Sequence, residues 1–432
     1  MIPRYSRPEM AGLWTEESRF SHWLRVEVEV CAVLAERGDI PADAFEEIRQ
    51  RAGFDLEEIH ELEKTTHHDV VAFLGSVARH VGPAGRYVHL GLTSSDVVDT
   101  ALALQLRQAG GFLLTGLEQL LGVLERLAGE HRDTLMVGRT HGMHSEPTSF
   151  GLKMALWYAE TRRNLRRMRT ARETVSVGKI SGAVGTFAHL PPEVEEAVCR
   201  RLELSADPIS TQVIQRDRIA EFMAAVAITA ASLEKFATEI RNLQRTDIAE
   251  VEEPFRKGQR GSSSMPHKRN PVKCEQIAGL ARLVRGFLIP ALENVTLWHE
   301  RDISHSSVER VTLPDATILL DYMLDRFRTI LEGLEVHEER MKENLWKTRG
   351  LLASQKILLL LVRKGIDRDE AHGWVQAASR RTFEEDRDFR SILEKDREIS
   401  GKLDPAEIAT AFDLKSYIIH TDRIFERVFR ED

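Results

Sequence analysis

One stretch of the sequence brings together groups that could perform acid–base chemistry on an anionic substrate. In the segment GSSSMPHKRNP (residues 261–271), three serines precede a histidine, a lysine and an arginine. Serine and histidine can transfer protons, and the cations can hold carboxylates or phosphate. Between Glu253 and Glu275 the chain has no acidic residue but six lysines and arginines, which are Arg256, Lys257, Arg260, Lys268, Arg269 and Lys273. In a net-acidic chain this segregation indicates an anionic ligand.

Glycines and prolines within residues 254–271 exclude a continuous helix, so this segment is predicted to form an exposed loop, which we call the serine loop. Asn270 is predicted to cap a new helix that has Pro271 as its first residue. The partial positive charge at the start of that helix would add to the field of Lys268 and Arg269. A solvated surface loop without a function is the alternative interpretation of this composition.

Three other breaks between predicted helices carry similar groups. The segments are TTHHDVVAFL (residues 65–74), HLGLTSSDVVDT (89–100) and VGRTHGMHSEPTSFG (137–151). Hydroxyls, imidazoles and cations that recur at several junctions can hold carboxylates or phosphate and move a proton. A single histidine is more often a structural or surface group. His141 and His144 could also bind zinc, although the chain has no HExxH motif and no cysteine near them.

The elements that must position these groups are long helices. Two apolar stripes step mostly by three and four residues, namely Leu113, Leu117, Leu120, Leu124 and Leu127, and Phe222, Val226, Leu233, Phe236, Ile240 and Leu243. Spacing near 3.5 residues favours helices that pack almost parallel in a bundle. Alternating β-branched residues are almost absent, so the fold is predicted to be all-α.

Three domains are expected along the chain. Residues 1–92 should form an N-terminal helical domain, 93–341 a central bundle that includes the serine loop, and 342–432 a C-terminal helical domain. The first of these contains a predicted helix over residues 18–37, which Gly38 ends. In the third, the apolar run over residues 357–362 is predicted to be buried core.

Composition limits the class of protein. The 432 residues are 42% hydrophobic and 30% charged, as in ordinary globular proteins, and the net charge of −8 argues against a partner nucleic acid. The three cysteines are far apart, which suggests a reducing compartment and no disulfide framework. No signal peptide and no apolar run long enough to span a membrane is visible. A cytoplasmic location is therefore expected.

The serine loop resembles the signature of the fumarase/aspartase superfamily, Gly-Ser-x-x-Met-x-x-Lys-x-Asn, through Gly261, Ser262, Met265, Lys268 and Asn270. GLTSSDVVDT and GRTHGMHSEPTSFG are similar to two further superfamily regions. RYSRPEM, TTHHDVVAF, GKISGAVGT, EEPFRKGQRGSS and WHERDISHSSVER most resemble the adenylosuccinate lyase branch.

Sister branches fit less well. Carboxymuconate cycloisomerases have no histidine at the place of His141, and argininosuccinate lyases and fumarases normally have an Asn-Asp pair in place of Ser95-Asp96. Another fumarate-releasing lyase, such as an argininosuccinate lyase, and a non-catalytic structural relative remain the alternatives. Retention of the residues that the family uses in catalysis argues against the second.

The resemblance implies a β-elimination that releases fumarate. The substrates would be adenylosuccinate, which gives AMP, and succinylaminoimidazolecarboxamide ribotide, an earlier intermediate of purine synthesis. It implies that Ser262 is the general base and His141 the general acid, with Glu275 orienting the histidine and Lys268 stabilising charge. Serine is a weak base unless it is activated, so cations and backbone N–H groups of the loop would have to stabilise its alkoxide.

Binding roles are implied at further positions. Contacts to the nucleotide and its phosphate are expected from Arg4, Tyr5, Arg301, Ser306 and Arg310. Contacts to the succinyl group and the base are expected from His68, His89, Thr93, Ser94, Gln212, Ser263, Lys268 and Asn270. The binding set also includes His67, Asp69, Arg269 and Ser307, and which of His67 and His68 contacts substrate is open. No metal and no organic cofactor is expected.

The assembly implied by the resemblance is a homotetramer whose active sites are shared between subunits. Long apolar stripes on the central helices agree with helices that pack between chains. The partners expected are therefore small purine nucleotides and other copies of this chain, with neither nucleic acid nor a membrane.

Overall fold

The structure, a computed structural model, describes residues 1–255, 258 and 261–430. Helices dominate it, which confirms the all-α fold class. In chain order they are α1 (Pro8–Leu13), α2 (Glu16–Arg37), α3 (Ala42–Arg51), α4 (Leu56–Thr66), α5 (Asp69–Val81), α6 (Ser94–Glu130), α7 (Phe150–Thr174), α8 (Pro192–Arg201), α9 (Asp217–Leu243), α10 (Val272–Gly286), α11 (Leu288–Glu293), α12 (Ser304–Glu332), α13 (Glu338–Trp346), α14 (Ser354–Arg363), α15 (Arg368–Glu384), α16 (Phe389–Lys395), α17 (Arg397–Ser400), α18 (Pro405–Ala411) and α19 (Thr421–Phe429).

Short strands pair two by two in the described part of the chain. They are β1 (Leu135–Thr140), β2 (Met143–Ser149), β3 (Val177–Gly178), β4 (Ser205–Ala206), β5 (Val251–Glu252) and β6 (Glu335–Val336). β1 and β2 form an antiparallel hairpin, β3 and β4 pair in parallel, and β5 and β6 pair antiparallel. The break that carries His141 is therefore a hairpin, which the sequence pattern did not predict.

Both predicted apolar stripes are buried on long helices. The five leucines from Leu113 to Leu127 lie on α6 and are at most 3% exposed. The six residues from Phe222 to Leu243 lie on α9 and are at most 2% exposed. Their polar neighbours, such as Glu118 on α6, face solvent. The helical spacing of apolar residues in the sequence thus identified the buried faces of α6 and α9.

Helix α2 has the boundaries that its sequence favours. Thr15 accepts a hydrogen bond from the backbone N–H of Ser18 at 3.2 Å, which caps the start of the helix. Gly38 ends it with a left-handed backbone, φ +80°. The predicted end at Gly38 is confirmed, and the helix begins two residues earlier than predicted.

The chain divides into two compact units, each built from three separate segments. The first contains residues 1–120, 161–235 and 276–327, and the second contains residues 121–160, 236–275 and 328–432. In the first, α2, α5 and α8 enclose a core rich in aromatic residues, where Phe20 stacks on Phe73 at 5.6 Å. In the second, helices α14–α18 enclose another core. The three predicted domains follow chain order and stay a prediction.

The apolar run at residues 357–362 is not buried core throughout, so that prediction is wrong in part. The run lies on α14, where Ile357 and Leu361 are fully buried but Leu359 and Val362 are 43% and 37% exposed. A helix presents only one face to the core beside it, so some residues of a continuous apolar run lie on the opposite face and are exposed to solvent.

Within the described residues, no helix is long and apolar enough to cross a membrane. Cys31, Cys199 and Cys274 are free thiols, and all are buried. Burial raises the pKa of Cys31 and that of Cys199 to about 12, so both stay protonated at neutral pH.

Candidate active site

Contacts within the serine loop explain why its signature residues are needed. A Cβ atom on Gly261 would lie 2.1 Å from the carbonyl oxygen of Lys268, so only glycine fits there. The Asn270 side-chain amide donates to the carbonyl of Gly261 at 3.0 Å. The backbone N–H of Lys268 donates to the carbonyl of Met265 at 3.1 Å. These contacts close residues 261–270 into a compact loop whose tip faces solvent.

The Ser262 hydroxyl is the acceptor of two backbone N–H groups. Ser264 donates to its Oγ atom at 3.3 Å and Met265 at 3.1 Å. Donors aimed at an oxygen favour its negatively charged form, so this arrangement would stabilise an alkoxide. The same pattern is found in ordinary serine turns, which need no catalytic role. Ser263 is exposed.

Asn270 does not cap a helix, so that prediction is wrong. Helix α10 begins at Val272, and the Asn270 side chain donates to Gly261 within the loop. The buried carboxylate of Glu253 caps the helix instead, and it accepts from the backbone N–H groups of Lys273 at 3.2 Å and Cys274 at 2.7 Å. Its negative charge offsets the positive end of the helix, which therefore adds little to the field of the loop.

The cations of the serine loop differ in whether another residue of the chain already binds them. Arg269 is paired with Glu252 at 2.8 Å and lies over the ring of Phe255, which weakens its candidacy as a substrate ligand. Lys268 is exposed and has no ion-pair partner among the described residues. Other cations of the segment, namely Arg256, Lys257 and Arg260, lie outside the described residues.

His141 stands at the tip of the β1–β2 hairpin. The connection has two residues, His141 with φ 54° and Gly142 with φ 76°. Two positive φ values are the mark of a type I′ turn, which matches the twist of a hairpin but usually has Asn and Gly at these places. Histidine tolerates this backbone better than most side chains, although at some cost. The turn holds the imidazole at an exposed tip.

A buried ion pair anchors the hairpin just before its tip. Arg139 donates to both oxygens of Glu250, at 2.9 and 2.6 Å, and Glu250 is fully buried. The Asn344 amide on α13 donates to the same carboxylate at 2.7 Å. Since Glu250 directly precedes β5, the ion pair joins the hairpin to the chain that leads into the serine loop.

His141, Ser262 and Glu275 do not contact one another through hydrogen bonds in the described residues of one chain. All three belong to the second unit, and the side chains of His141 and Glu275 are exposed. The orienting role of Glu275 stays a prediction. The expected acid and base thus belong to the same unit, and no hydrogen bond joins them among the described residues of one chain.

His144 has a different environment from His141. Its Nδ1 atom is buried and has no hydrogen-bond partner in the described chain, and burial together with Arg139 lowers the pKa of its imidazole. Metal-ligand spacing is found elsewhere, where Glu252, Glu335 and His337 bring their ligand atoms within 4.8 Å of one another. Because Glu252 already pairs with Arg269, a cation there would compete with a guanidinium group.

In the first unit, several predicted nucleotide ligands line one cavity of about 220 Å³. Arg301, Ser306 and Arg310 all contribute to its wall. The Arg301 guanidinium donates to the Gln212 side chain at 3.0 Å, which brings a fourth predicted residue to the same place. Ser307 does not line this cavity and donates to the carbonyl of Ser304 at 3.3 Å.

The two histidines at residues 67–68 differ in backbone geometry, and which of them contacts substrate stays a prediction. His67 ends α4 in a left-handed conformation, whereas His68 directly precedes α5, with its Nδ1 atom 3.7 Å from Asp69. Asp69 forms an ion pair with Arg310. Burial is the largest single influence on the pKa of Asp69 and acts to raise it, but the hydrogen bond and charge of Arg310, the backbone N–H of Val70 and the charge of Arg19 together lower the pKa. His68 is thus the histidine that adjoins the cavity's charged residues.

His89 and Thr93 are positioned by buried acids. Glu27, 1% exposed, holds the His89 imidazole Nδ1 at 2.6 Å and accepts from the His89 backbone N–H at 2.9 Å. Asp96, fully buried, accepts from the Thr93 backbone N–H at 2.8 Å. Lys179 forms a buried ion pair with Asp96. Thr93 and Ser94 therefore sit at a rigid start of α6.

Arg4 and Tyr5 lie away from the cavity of their own chain. The Tyr5 ring packs edge-on against Tyr322 at 5.5 Å, and Arg4 is exposed. Tyr322 follows Arg310 on α12 by twelve residues, which is roughly 18 Å along a helix. Neither residue lines the cavity of its own chain, although the N-terminal amino group pairs with Asp315 at 3.0 Å, beside Pro314 of the cavity wall.

The sequence reasoning did not identify the buried charged groups that hold the candidate residues. They are Glu27, Asp96, Arg139, Lys179, Glu250 and Glu253. Asp96 and Lys179 stand inside two of the quoted segments, and Asp96, a charged residue at the start of the apolar helix α6, is a usable signal. Glu27 is a charged residue among the apolar residues on the buried face of α2, and such a position is a similar signal. For Glu250 and Glu253 no local signal exists, because their partners are distant in sequence.

Comparison with known proteins gives one consistent answer. Residues 4–286 match the family described as Lyase, and residues 350–428 match the family described as Adenylosuccinate lyase C-terminus. The chain is 52% identical over 428 residues to Adenylosuccinate lyase of Bacillus subtilis, covering 99% of both proteins. It is 51% identical over 435 residues to Adenylosuccinate lyase of Aquifex aeolicus, covering all of both.

Solved structures agree in fold. A fumarate lyase from Mesorhizobium sp. BNC1 superposes with a TM-score of 0.91 at 29% identity, covering 99% of each chain. A 3-carboxy-cis,cis-muconate lactonizing enzyme from Pseudomonas putida has a TM-score of 0.89 at 31% identity, covering 98% of this chain and 96% of its own. Together with the full-length matches, these findings show that the chain belongs to the adenylosuccinate lyase family of the fumarase/aspartase superfamily.

Proposed function

We propose that this protein cleaves adenylosuccinate to AMP and fumarate, and succinylaminoimidazolecarboxamide ribotide to aminoimidazolecarboxamide ribotide and fumarate. The observation that carries the proposal is the match, over the full length, to two enzymes named Adenylosuccinate lyase. Both reactions place the protein in purine nucleotide synthesis, on the routes to IMP and AMP.

The chemistry requires a base, an acid and a site for negative charge. The base removes a proton from the carbon next to one succinyl carboxylate, and the electron pair left behind forms the new C=C bond as the C–N bond breaks. The nitrogen then takes a proton from the acid. Because the intermediate carbanion spreads its charge into the carboxylate, cations and N–H donors near that carboxylate would lower the barrier.

Ser262 is proposed as the base. Its Oγ atom accepts from two backbone N–H groups, which supports a role that requires the alkoxide form. The closure of the loop by Gly261 and Asn270 supports this too, because it fixes both donors relative to the hydroxyl. Lys268, exposed beside the serine, is proposed to stabilise the carboxylate on which charge develops.

His141 is proposed as the acid. The type I′ turn and the Arg139–Glu250 ion pair hold its imidazole at an exposed hairpin tip, which supports a role in proton transfer to a substrate. His68, His89, Thr93, Ser94, Gln212, Ser263 and Asn270 are proposed to bind the succinyl group and the base. Arg301, Ser306 and Arg310 are proposed to bind the phosphate, with Arg4 and Tyr5 supplied by another subunit.

We also propose a homotetramer with sites shared between subunits. Tyr5 packs against Tyr322 and does not line the cavity of its own chain, which supports a site completed by another subunit. A further support is the set of large apolar side chains at least 45% exposed between α10 and α12, namely Leu283, Ile289, Leu292, Val295, Trp298, Ile303 and Val311. Exposed apolar surface of this extent is typical of a subunit interface.

The test of activity is an assay of fumarate release and of the absorbance change as adenylosuccinate becomes AMP. Argininosuccinate in the same assay tests for a different fumarate-releasing lyase, and no release from any substrate would indicate a non-catalytic relative. Activity should survive dialysis against a chelator, since no metal or organic cofactor enters the proposed steps. Loss of activity that zinc restores would contradict this.

The test of shared sites is complementation between two inactive variants. His141→Ala and Ser262→Ala are unfolded together in equal amounts and reassembled. If each site takes its histidine and its serine from different chains, random mixing restores about a quarter of the wild-type activity in a closed symmetric oligomer. Mixed tetramers that stay at the background of the separate variants would rule out a shared site.

A cytoplasmic location is part of the proposal. The three buried free thiols support it, because disulfides are rare where the cell keeps thiols reduced. Fractionation of cells followed by the fumarate assay tests it.

A further inference from the structure

The cavity in the first unit contains more hydrogen-bond donors than the chain can satisfy. Three of the side chains that line it, Trp14, Arg19 and Arg301, each have a buried ring or guanidinium N–H with no partner among the described residues. The atoms are Trp14 Nε1 and the Nε atoms of the two arginines. Buried donors in folded proteins nearly always have an acceptor, so three around one cavity indicate a ligand that supplies acceptors.

The charges around the cavity point to an anion. Four guanidinium groups line it, those of Arg19, Arg216, Arg301 and Arg310, and Arg216 is the one already held by Asp99 and Glu309. Burial lowers the pKa of Arg19, and the nearby charge of Arg310 lowers it further, although Glu16 and Asp69 act in the opposite direction. Arg19 pairs with Glu16 and Arg310 with Asp69, so it is the N–H groups of the wall without a partner in the described chain that need an acceptor.

The acidic groups of the wall are already engaged. Asp99 and Glu309 both accept from Arg216, at 2.6 and 3.0 Å. Glu16 accepts from Arg19 and also contacts His60 at 2.8 Å. The donors that remain therefore exceed the acceptors, which is the condition for binding an anion rather than a cation.

We infer that Trp14 and Arg19 bind the phosphate group of the nucleotide, together with Arg301, Ser306 and Arg310. This inference rests on the proposed function, since it assigns part of the substrate to this cavity. A phosphate monoester carries up to two charges and three acceptor oxygens in a tetrahedral arrangement. The guanidinium groups of Arg19, Arg301 and Arg310, the indole of Trp14 and the hydroxyl of Ser306 place donors around the cavity. Donors on several sides suit the tetrahedral oxygens of a phosphate better than the two oxygens of a planar carboxylate.

The location of the two residues also suits this role. Trp14 lies just before the start of α2, and Arg19 lies within its first turn. The Arg19 guanidinium is also held over the ring of Trp23 at 5.4 Å. The packed core around Phe20 fixes this end of the helix. The subsite would thus have one wall from α2 and another from α12.

The experiment compares ligands that differ in a single group. Binding of AMP, adenosine and fumarate is measured by calorimetry for the wild type, Arg19→Gln and Trp14→Phe. Arg25→Gln is the matched control, because Arg25 is an exposed arginine on the same helix that does not line the cavity. Kinetics with adenylosuccinate give kcat and KM for each protein.

We expect AMP binding to weaken about 10- to 100-fold in Arg19→Gln, because the side chain loses a charged hydrogen-bond donor. Trp14→Phe keeps an aromatic ring but loses the N–H, so AMP should bind about 3- to 10-fold more weakly. Binding of adenosine should be the same in all four proteins, and KM should rise by a larger factor than kcat falls. If Arg19→Gln does not fold, Arg19→Lys keeps the charge without the Nε donor and should give a smaller loss of AMP affinity.

Three results would decide against the inference. The first is unchanged AMP binding in both variants, and the second is an equal loss of affinity for AMP and adenosine. The third is weaker binding of fumarate while AMP binding is unaffected, and this result would assign the subsite to a carboxylate. A wild-type protein that binds AMP but releases no fumarate from adenylosuccinate would instead refute the proposed function. The comparison of AMP with adenosine would still test the phosphate subsite in that case.

Discussion

The hairpin that carries His141 and the loop that carries Ser262 are held in place by different means. The hairpin is anchored by a long-range buried ion pair, Arg139–Glu250, which Asn344 completes. The serine loop is closed by contacts among its own residues, chiefly the Asn270 amide on Gly261. The proposed acid is therefore positioned by the fold, whereas the proposed base is positioned by its own short motif.

This difference separates the contacts that a short motif specifies from those that a distant partner specifies. A loop that is closed locally needs particular residues at fixed spacing, so Gly261, Met265 and Asn270 are recognisable in the sequence. A hairpin held by a distant carboxylate requires only that the partner be present somewhere along the chain. It follows that substitutions in the loop should affect catalysis first, and substitutions at the hairpin anchor should affect stability first.

The largest effect is expected from Ser262→Ala. Removing the proposed base should lower kcat by at least roughly a thousandfold while the substrate still binds, because the hydroxyl acts in proton transfer and contributes little to affinity. Single-turnover kinetics and substrate binding measure the two quantities separately. Ser264→Ala is the matched control, an exposed serine of the same run, and should stay within about twofold of the wild type. An active Ser262→Ala with an inactive Ser263→Ala would show that the motif is displaced by one residue.

The next largest effect is expected from Glu250→Gln. It leaves the Arg139 charge in a buried place without its partner, so the protein should lose about 3 kcal/mol of stability. Urea unfolding measures the loss of unfolding free energy, and the fumarate assay measures the activity that remains. Glu130→Gln breaks the exposed pair with Arg126 and should cost less than about 0.5 kcal/mol. Equal losses in the two variants would contradict an anchoring role for Glu250.

Asn270→Ala should lower kcat about 10- to 100-fold, because the loop loses the amide that closes it and with it the fixed position of the two N–H donors. Hydrogen exchange should become faster in residues 261–270 and stay the same in residues 135–149. A variant that loses activity without any change in exchange of the loop would show that Asn270 acts on the substrate and not on loop closure.

The smallest effect is expected from Glu253→Gln. The variant keeps one acceptor for the start of α10 but loses the charge and the second acceptor, so stability should fall by about 1 kcal/mol with little change in kcat. Thermal unfolding and steady-state kinetics measure the two. A large rise in kcat would mean that the positive end of α10 contributes to catalysis once Glu253 no longer offsets it.

The sequence by itself determined the helical architecture and the local geometry of the serine loop. Apolar stripes on α6 and α9 follow from the helical period, and each predicted member is buried. The closeness of Gly261 to Lys268 depends on the missing Cβ atom, and the end of α2 at Gly38 depends on the left-handed backbone that glycine permits. Such features depend on residues a few positions apart, and these are the separations that periodicity and turn rules describe.

Only the tertiary structure decided which polar groups meet. Arg139 and Glu250 are 111 residues apart, and Glu253 caps a helix that begins about twenty residues later. The pairing of β1 with β2, the placement of Arg301, Ser306 and Arg310 on one cavity and the separation of Tyr5 from it likewise depend on how distant segments pack. A buried charge must find a partner, but its own sequence neighbourhood does not say which one, because the partner is selected by proximity in the folded chain.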